Sequence, residues 1–185
     1  MKKLLSIQKI MFVVYIISMI LILIYSLGFM TSYSDFQYLA YRENKVLYDF
    51  HHNTLIPYNN VVFNLAIVSI ITIICLFICK INKQTPKIWQ ASLGTAITLP
   101  TIISCIYSIV KLPGIKKQYN SFDFSNVEAE TYNVYNPTTF AFDFGMVLSI
   151  IVLVMMIIYI AVIVTNCVLS IKSQIEVHNE LVDEE

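Results

Sequence analysis

The side chains best suited to chemistry lie in one short stretch, His51-His52-Asn53, with Asp49 and Glu43 just upstream. Imidazole and carboxylate groups bind metal ions and carry out acid–base catalysis. Adjacent side chains of an extended segment point to opposite sides, so two neighbouring imidazoles are poorly placed to share one metal ion. We therefore predict no metal site, no cofactor and no catalytic residue, and an enzyme that uses this stretch remains a third alternative.

The four cysteines, Cys75, Cys79, Cys105 and Cys167, all lie in uncharged apolar segments. Cys75 and Cys79 are one helical turn apart and would share a helix face, but a lone Cys-x-x-x-Cys pair is a poor signal for metal or redox chemistry. Cysteine is otherwise a small apolar residue that packs well in a protein interior. We interpret all four as packing residues.

The composition is that of a protein in contact with lipid. Hydrophobic residues make up 57% of the chain and charged residues only 13%, about half of the share that is usual in soluble domains. The formal net charge is +0 at pH 7, so no overall field attracts nucleic acid or acidic substrates. We predict an integral membrane protein that does not bind nucleic acid.

A helix that crosses the hydrocarbon core of a bilayer needs roughly 20 mostly apolar residues. Four segments meet this requirement and contain no Lys, Arg, Asp or Glu: about 10–30, 61–79, 88–110 and 144–171. The first follows a basic start, as a signal peptide does, but it is longer than an ordinary signal sequence and no Ala-x-Ala-like site follows. The sequence therefore predicts an all-α membrane protein, in which residues 1–185 form a single four-transmembrane-helix bundle.

Lysine placement predicts the orientation, because short positively charged flanks stay in the cytoplasm. Lysines precede the first span and fill the short loop between the second and third: Lys2, Lys3, Lys9, Lys80, Lys83 and Lys87. The other loops, about 31–60 and 111–143, carry both signs of charge and are predicted to be extracytoplasmic. Both termini, including the tail 172–185, are then cytoplasmic. Abundant Ile, Lys, Asn and Tyr are typical of AT-rich bacterial genomes, so the expected location is a bacterial plasma membrane.

Small residues on the third span predict how the helices pack, since association in lipid depends on close backbone approach and interhelical hydrogen bonds. The candidate packing residues recur at intervals of four: Ser92, Ala96, Pro100, Ser104 and Ser108. We expect this span to be the central helix of the bundle and to be kinked at Pro100. A hydroxyl of Thr98, Thr101 or Ser104 would bond to the carbonyl that the proline leaves free.

Two asparagines, Asn64 and Asn166, are the strongest polar groups within or near the apolar segments. We expect each to form an interhelical hydrogen bond. At the outer ends of the third and fourth spans, Lys111 and Asp143 could form an ion pair worth about 0–1 kcal/mol.

The two outer loops are predicted to form a small extracytoplasmic cap. In the first loop, an amphipathic helix could begin at Ser34 or Asp35 and end near Phe50. Large amphipathic rings are favoured at protein interfaces and equally at lipid headgroups. The candidate partner-binding residues are Tyr38, Tyr41 and Tyr48, and a helix that merely rests on the membrane is the alternative. In the second loop, residues 131–135 and 138–142 flank the turn signal Asn136-Pro137, so a β-hairpin is possible.

The function is predicted from what the spans carry. Proton-coupled transporters and membrane enzymes usually keep ionisable groups inside the bundle, and the four spans contain no Asp, Glu, Lys or Arg. This favours a non-enzymatic integral membrane subunit or accessory protein, which binds a larger membrane complex through its helix faces and outer loops. The partner would be another membrane protein or further copies of the same chain. The alternative is a transport-related protein, either a permease-like component or an oligomeric channel.

Overall fold

A computed structural model describes residues 2–33, 45–79, 86–124 and 137–183. These ranges contain helices and short connections, without a strand in any of them: α1 (Lys2–Ser32), α2 (Lys45–Phe50), a π-helical turn (His51–Leu55), α3 (Ile56–Ile78), α4 (Ile88–Tyr119) and α5 (Phe140–Asp183). Four helical segments are long and apolar enough to cross a membrane: Leu5–Ser32, Lys45–Ile78, Ile88–Tyr119 and Phe140–Glu176. The predicted set of four membrane-type helices is confirmed.

The helices extend beyond the apolar segments from which they were predicted. The third span was expected to end near Val110, but α4 continues through Pro113 to Tyr119. With 32 residues, α4 is about 48 Å long at 1.5 Å per residue, against a hydrocarbon core of about 30 Å. A helix of this length projects beyond the hydrocarbon core when it crosses the bilayer.

Helix α2, the π-helical turn and α3 follow one another without a break. The expectation of a separate helix ending near Phe50 is therefore wrong for its described part, because helical geometry continues through His51–Leu55 into α3. The wider turn ends two residues before Pro57, whose missing N–H already interrupts the α-helical bonding pattern. Residues 34–44, where the predicted helix would begin, lie outside the described ranges.

The predicted β-hairpin is wrong in its described half, because residues 140–142 form the first turn of α5. The carbonyl of Thr139 accepts hydrogen bonds from the backbone N–H groups of Phe142 and Asp143, at 3.1 and 3.2 Å. The hydroxyl of Thr138 accepts one from the N–H of Phe140 at 3.3 Å. Threonine hydroxyls that satisfy backbone donors favour the start of a helix at this point. The other half of the hairpin, 131–136, lies outside the described part of the chain.

The four long helices form a ring in which each packs mainly against two neighbours: α1 against α3 and α5, and α4 against the same two. None of these described helices is central, so the central position expected for the third span is wrong. At one end of the ring, Phe12 meets Phe77 with 5.1 Å between ring centroids. At the other, Phe29 meets Phe142 at 5.8 Å. We call these the tail end and the aromatic end; α1 begins and α5 finishes at the tail end.

The buried face of α4 differs from the predicted packing stripe. Ser104 and Ser108 are buried, but Ser92 and Ala96 are exposed and Pro100 is half-buried. A spacing of four residues advances by about 400° per step, so five such residues rotate by about 160° around a helix. The predicted stripe thus faces the interior only in its C-terminal half. The buried face alternates steps of three and four: Ala91, Gly94, Thr98, Thr101, Cys105, Ser108, Leu112, Ile115 and Tyr119.

Hydroxyl groups in the middle of the bundle bond to other protein atoms. Tyr15 donates to the carbonyl of Ile97 at 3.3 Å. Thr101 Oγ1 lies 2.9 Å from Met19 Sδ and 3.0 Å from Ser69 Oγ, which connects α4 to α1 and α3. These bonds satisfy polar groups within the bundle, as the absence of water in a membrane requires.

Helix α4 runs through Pro100 as one continuous helix. Thr98 was a candidate donor to the carbonyl that the proline leaves free, but it donates instead to the carbonyl of Thr95 at 2.7 Å. Thr101 is engaged with the neighbouring helices.

Three buried amide side chains connect the helices at the tail end. Asn166 Nδ2 donates to Gln8 Oε1 at 2.6 Å and joins α5 to α1, which confirms the interhelical bond expected for Asn166. Gln90 Nε2 donates to the carbonyl of Cys79 at 2.9 Å, and Gln90 Oε1 accepts from the N–H of Lys87 at 3.0 Å. The side chain of Gln90 therefore satisfies a carbonyl just after α3 and the first N–H before α4.

Candidate functional site

An aromatic cluster joins the four long helices at the aromatic end. We define it by Phe29 of α1, Tyr33 just after α1, Tyr58 of α3, Tyr119 of α4 and Phe142 of α5. The ring centroid of Phe29 is 5.2 Å from that of Tyr58 and 5.8 Å from that of Phe142. Phe142 is in turn 4.9 Å from Tyr33 and 5.3 Å from Tyr119. Each of the five side chains is 1% exposed. Such ring pairs stabilise a fold by about 0.5–1.5 kcal/mol each beyond their burial, so the cluster fastens the helix ends together.

Hydroxyl groups of the tyrosines make specific contacts inside this end of the bundle. Tyr58 donates to Ser108 Oγ at 3.0 Å, and the hydroxyl oxygens of Tyr25 and Tyr58 are 3.4 Å apart. Tyr33 donates to the carbonyl of Thr138 at 3.4 Å. Burial raises the pKa of Tyr33, so its hydroxyl is a neutral donor in this contact.

Gly145 allows Tyr25 to lie directly against the backbone of α5. A Cβ atom at residue 145 would lie 2.8 Å from Tyr25 Cε2 and still closer to the phenol end of the ring. Close-packed interiors do not accommodate an overlap of this kind without movement. A Cβ added at Gly28 or Gly114 would meet open space. The close contact with Tyr25 therefore gives Gly145 a packing role that the other two do not have.

Helix α2 covers one side of the aromatic cluster. Phe50 lies 6.4 Å from Tyr119 and 5.0 Å from Phe122, between ring centroids. Leu47 and Leu55 are 1% and 0% exposed. The described part of the connection between the first and second spans thus packs on the protein itself, and its buried apolar residues are not available to an external partner.

The predicted chemical stretch lies on the π-helical turn, where the rings of His51 and His52 meet edge to face with 5.4 Å between centroids. His51 is 2% exposed, and neither of its ring nitrogens has a hydrogen-bond partner among the described residues. His52 is half-buried and Asn53 is exposed. The ring of Tyr48 lies 4.1 Å from that of His52, so this candidate partner-binding tyrosine is half-buried against a neighbour. Tyr38 and Tyr41 lie outside the described residues.

In the described ranges, no three His, Cys, Asp or Glu side chains come close enough together to hold a metal ion. Asp49 is exposed beside the buried His51, and Glu43 lies outside these ranges. The four cysteines are free thiols; Cys105 and Cys167 are buried, whereas Cys75 is exposed and Cys79 is half-buried. Cys105 and Cys167 thus lie inside the bundle and Cys79 packs against its core, whereas Cys75 does not.

Two clefts open on the surface between α4 and α5. The cleft at the aromatic end has a volume of about 480 Å³ and is lined by residues that include Lys116, Asn120 and Asp143. Within it, Lys116 Nζ lies 2.6 Å from Asp143 Oδ1. This pair replaces the one expected between Lys111 and Asp143, because the continued helix brings Lys116 to that level. The cleft at the tail end has about 830 Å³ and is lined by residues that include Lys87 and Trp89.

The two predicted interhelical asparagines differ in position. Asn166 is 4% exposed and bonds to Gln8, but Asn64 is exposed on the outer face of α3. The expected bond of Asn64 to a neighbouring helix of the same bundle is therefore wrong. The buried amides of Gln8 and Gln90 were not singled out from the sequence, although each lies close to an end of an apolar segment.

The fold and its packing define a helical protein of membrane type, in which four long helices are closed by an aromatic cluster at one end and by buried amides at the other. No protein-family model, curated protein or solved structure matches the chain.

Proposed function

We propose that this protein is a non-enzymatic integral membrane subunit or accessory protein, which binds other membrane proteins through the outside of its bundle. The observation that supports the proposal is the filling of the bundle interior. Tyr15, Met19, Met156 and Tyr159 are all 0% exposed, and the rings of Tyr15 and Tyr159 stack with 5.6 Å between centroids. Large side chains thus occupy the axis along which a single-bundle transporter would move its substrate.

The interior polar groups also favour a role at the surface. The hydroxyls of Tyr15, Tyr58 and Thr101 are bonded to protein atoms of neighbouring helices. A group that is already satisfied inside the fold has little to gain from a ligand. Binding would therefore take place on exposed residues.

The proposed contact surface is the aromatic end, around Tyr48. Tyr48 is half-buried, while Asp49 and Asn53 beside it are exposed. A large ring that is partly exposed beside polar groups resembles the composition of interface hot spots, where an aromatic anchor is surrounded by a polar rim. Tyr38 and Tyr41 add two more rings to the same loop in the sequence. With the orientation predicted from the lysines, this surface would face the outside of a bacterial plasma membrane.

Site-specific photo-cross-linking tests this proposal in intact membranes. A photoreactive phenylalanine analogue replaces Tyr48 in the full chain, and the matched control carries it at Tyr159, which is buried. We expect the probe at position 48 to capture one membrane protein reproducibly, and the control to capture none. The double variant Tyr41→Ala/Tyr48→Ala should then lose co-purification of that protein in mild detergent while keeping its thermal stability.

Two results would contradict the proposal. If the double variant keeps every co-purifying protein at normal stoichiometry, the loop does not bind the partner. If the purified chain moves a solute across vesicle membranes at a rate that scales with the protein present, the transport-related alternative is the better account.

A further inference from the structure

We propose that two copies of this chain associate in the membrane through the exposed face of α3, with Asn64 of one copy bonded to Asn64 of the other. This contact lies on the helix surface at membrane depth. It is independent of the partner proposed for the aromatic end and can hold or fail separately.

Asn64 lies within the apolar part of α3. Helix α3 ends at Ile78, about 21 Å from Asn64 at a rise of 1.5 Å per residue, and no charged residue lies between them. If Ile78 lies at one edge of a hydrocarbon core about 30 Å thick, Asn64 is about 9 Å inside the other edge. Its side chain has a single methylene group and cannot reach the headgroups as a long lysine or arginine side chain does.

The carboxamide of Asn64 is exposed on the outer face of the bundle and forms no hydrogen bond with the described residues. Hydroxyl side chains on the same helix avoid this problem, because Ser69 donates to the carbonyl of Leu65 at 2.8 Å. In hydrocarbon, an amide without a partner carries a large free-energy cost. No described residue supplies a partner for Asn64, and a second copy of the chain can supply it.

A second copy satisfies Asn64 because a carboxamide is both a donor and an acceptor. Two copies in one membrane have the same orientation, so their α3 helices run parallel about a two-fold axis along the membrane normal. Such an axis brings each residue of the contact face opposite its own copy. Each Asn64 can then donate its Nδ2–H to the Oδ1 of the other.

The rest of the exposed face fits a parallel helix pair. Its members alternate steps of four and three, the spacing of a coiled-coil seam, and all are exposed except the half-buried Ile67: Asn60, Asn64, Ile67, Ile71, Ile74 and Ile78. Ile71 and Ile74 are 58% and 57% exposed in the single chain. β-Branched residues suit such a seam, and an asparagine at membrane depth within it, here Asn64, fixes the register of the two helices.

The amide distinguishes this face from other exposed faces of the bundle. The outer face of α1 shows apolar residues at a similar spacing, including Val13, Ile17 and Ile24. That face offers only side-chain packing, which lipid tails supply equally well. We therefore place the contact on α3 because of Asn64 and not because of the spacing alone.

Energy transfer between labelled copies tests the role of the amide. Donor-labelled and acceptor-labelled full-length chains are reconstituted together in lipid vesicles, and the lipid-to-protein ratio is raised until the copies separate. Interhelical hydrogen bonds in membranes are modest, so Asn64→Val should weaken association by roughly threefold to thirtyfold. Asn64→Gln keeps the carboxamide and should associate like the wild type. Thr165→Val removes an exposed polar group from α5 and should change nothing.

Disulfide cross-linking tests the geometry. In a chain whose four native cysteines are replaced by alanine, Ile71→Cys should form cross-linked pairs on mild oxidation in membranes. Ile150→Cys, on the exposed face of α5, should not. If the cysteine-free chain does not fold, energy transfer for the wild type, Asn64→Val and Asn64→Gln decides the matter alone.

The proposal is supported if Asn64→Val loses association, Asn64→Gln keeps it and Ile71→Cys cross-links. It is overturned if the wild type is monomeric in vesicles at every lipid ratio, or if Asn64→Val associates as well as the wild type does. Cross-linking through Ile150→Cys but not Ile71→Cys overturns it as well. The proposal is also overturned if Ile71→Cys cross-links to a different protein in native membranes. This holds even if the photo-cross-link at Tyr48, which tests the proposed function, succeeds.

Discussion

Gly145→Ala introduces a methyl group where the ring of Tyr25 lies against α5. The new Cβ would be 2.8 Å from Tyr25 Cε2 and closer still to the phenol oxygen. Tyr25 is 6% exposed and its ring lies 5.8 Å from that of Phe29, so it cannot move aside without disturbing the cluster. Overpacking of this kind costs about 1–3 kcal/mol. Alanine is also a better helix former than glycine by about 0.8–1.0 kcal/mol, so the expected net loss of stability is about 0–2 kcal/mol.

The matched control is Gly114→Ala, which is also inside a helix but has open space around the new Cβ. Only the propensity gain applies there, and we expect stability to rise by up to about 1 kcal/mol. The helix-propensity contribution cancels between the two variants, so their free energies of unfolding should differ by about 1–3 kcal/mol. Equilibrium unfolding in mixed micelles, titrated with a denaturing detergent, measures this difference.

A double-variant cycle identifies the origin of the effect. Tyr25→Leu removes the ring that the new methyl group would strike, so adding Gly145→Ala in that background should cost much less than in the wild type. Equal unfolding free energies for Gly145→Ala and Gly114→Ala would refute the close contact. A cost of Gly145→Ala that is unchanged by Tyr25→Leu would place its cause elsewhere on α5.

Two further predictions follow from burial, and a third follows from the placement of the lysines. Ser104→Leu, at a buried site, should lower the unfolding free energy by about 1–3 kcal/mol, whereas Ala96→Leu, at an exposed site, should be neutral in the same micelle titration. His51→Phe should leave stability unchanged or raise it by about 1 kcal/mol, because an apolar ring replaces a buried imidazole that makes no hydrogen bond with the described residues. A cysteine at Asn53 should react with a membrane-impermeant thiol reagent in intact cells, and one at Gln84 should not, if the lysines set the orientation.

Each of these has an opposite result. A loss of stability for Ala96→Leu that equals that of Ser104→Leu would mean that both faces of α4 are packed. A loss of more than about 1 kcal/mol for His51→Phe would show that the imidazole has a partner in solution. Labelling at Gln84 from outside would reverse the predicted orientation.

Hydropathy predicted where the four helices are, because a run of apolar residues determines depth in a membrane whatever the details of packing. The hydropathy profile could not predict which face of each helix is buried. Asn64 and Asn166 look alike in the sequence, yet one is exposed and the other buried, since the rotation of each helix is set by its neighbours. The stripe from Ser92 to Ser108 was misplaced for the same reason: a fixed step of four drifts around the helix, while the buried face of α4 alternates three and four.

Two other predictions failed at the aromatic end, because local hydrogen bonding and tertiary packing determine where α4 ends and α5 begins. Aromatic and β-branched residues near Asn136-Pro137 suggested strands, but the carbonyl of Thr139 accepts the first backbone bonds of α5. Lys111 was chosen as the partner of Asp143 because the apolar run stops near Val110. Helix α4 instead continues to Tyr119, because its last turns bury Leu112, Ile115 and Tyr119. A hydropathy profile does not report tertiary packing of this kind.

The aromatic cluster also fixes the order in which the molecule can be completed during synthesis. Phe142 contacts Phe29, Tyr33 and Tyr119, and these three belong to parts of the chain that leave the ribosome earlier. At the tail end, Asn166, which lies on α5 as Phe142 does, donates the hydrogen bond that Gln8 accepts. Until α5 enters the bilayer, neither end of the bundle is complete. A nascent chain that ends at Tyr119 would lack the Phe142 ring against which Tyr33 and Tyr119 pack.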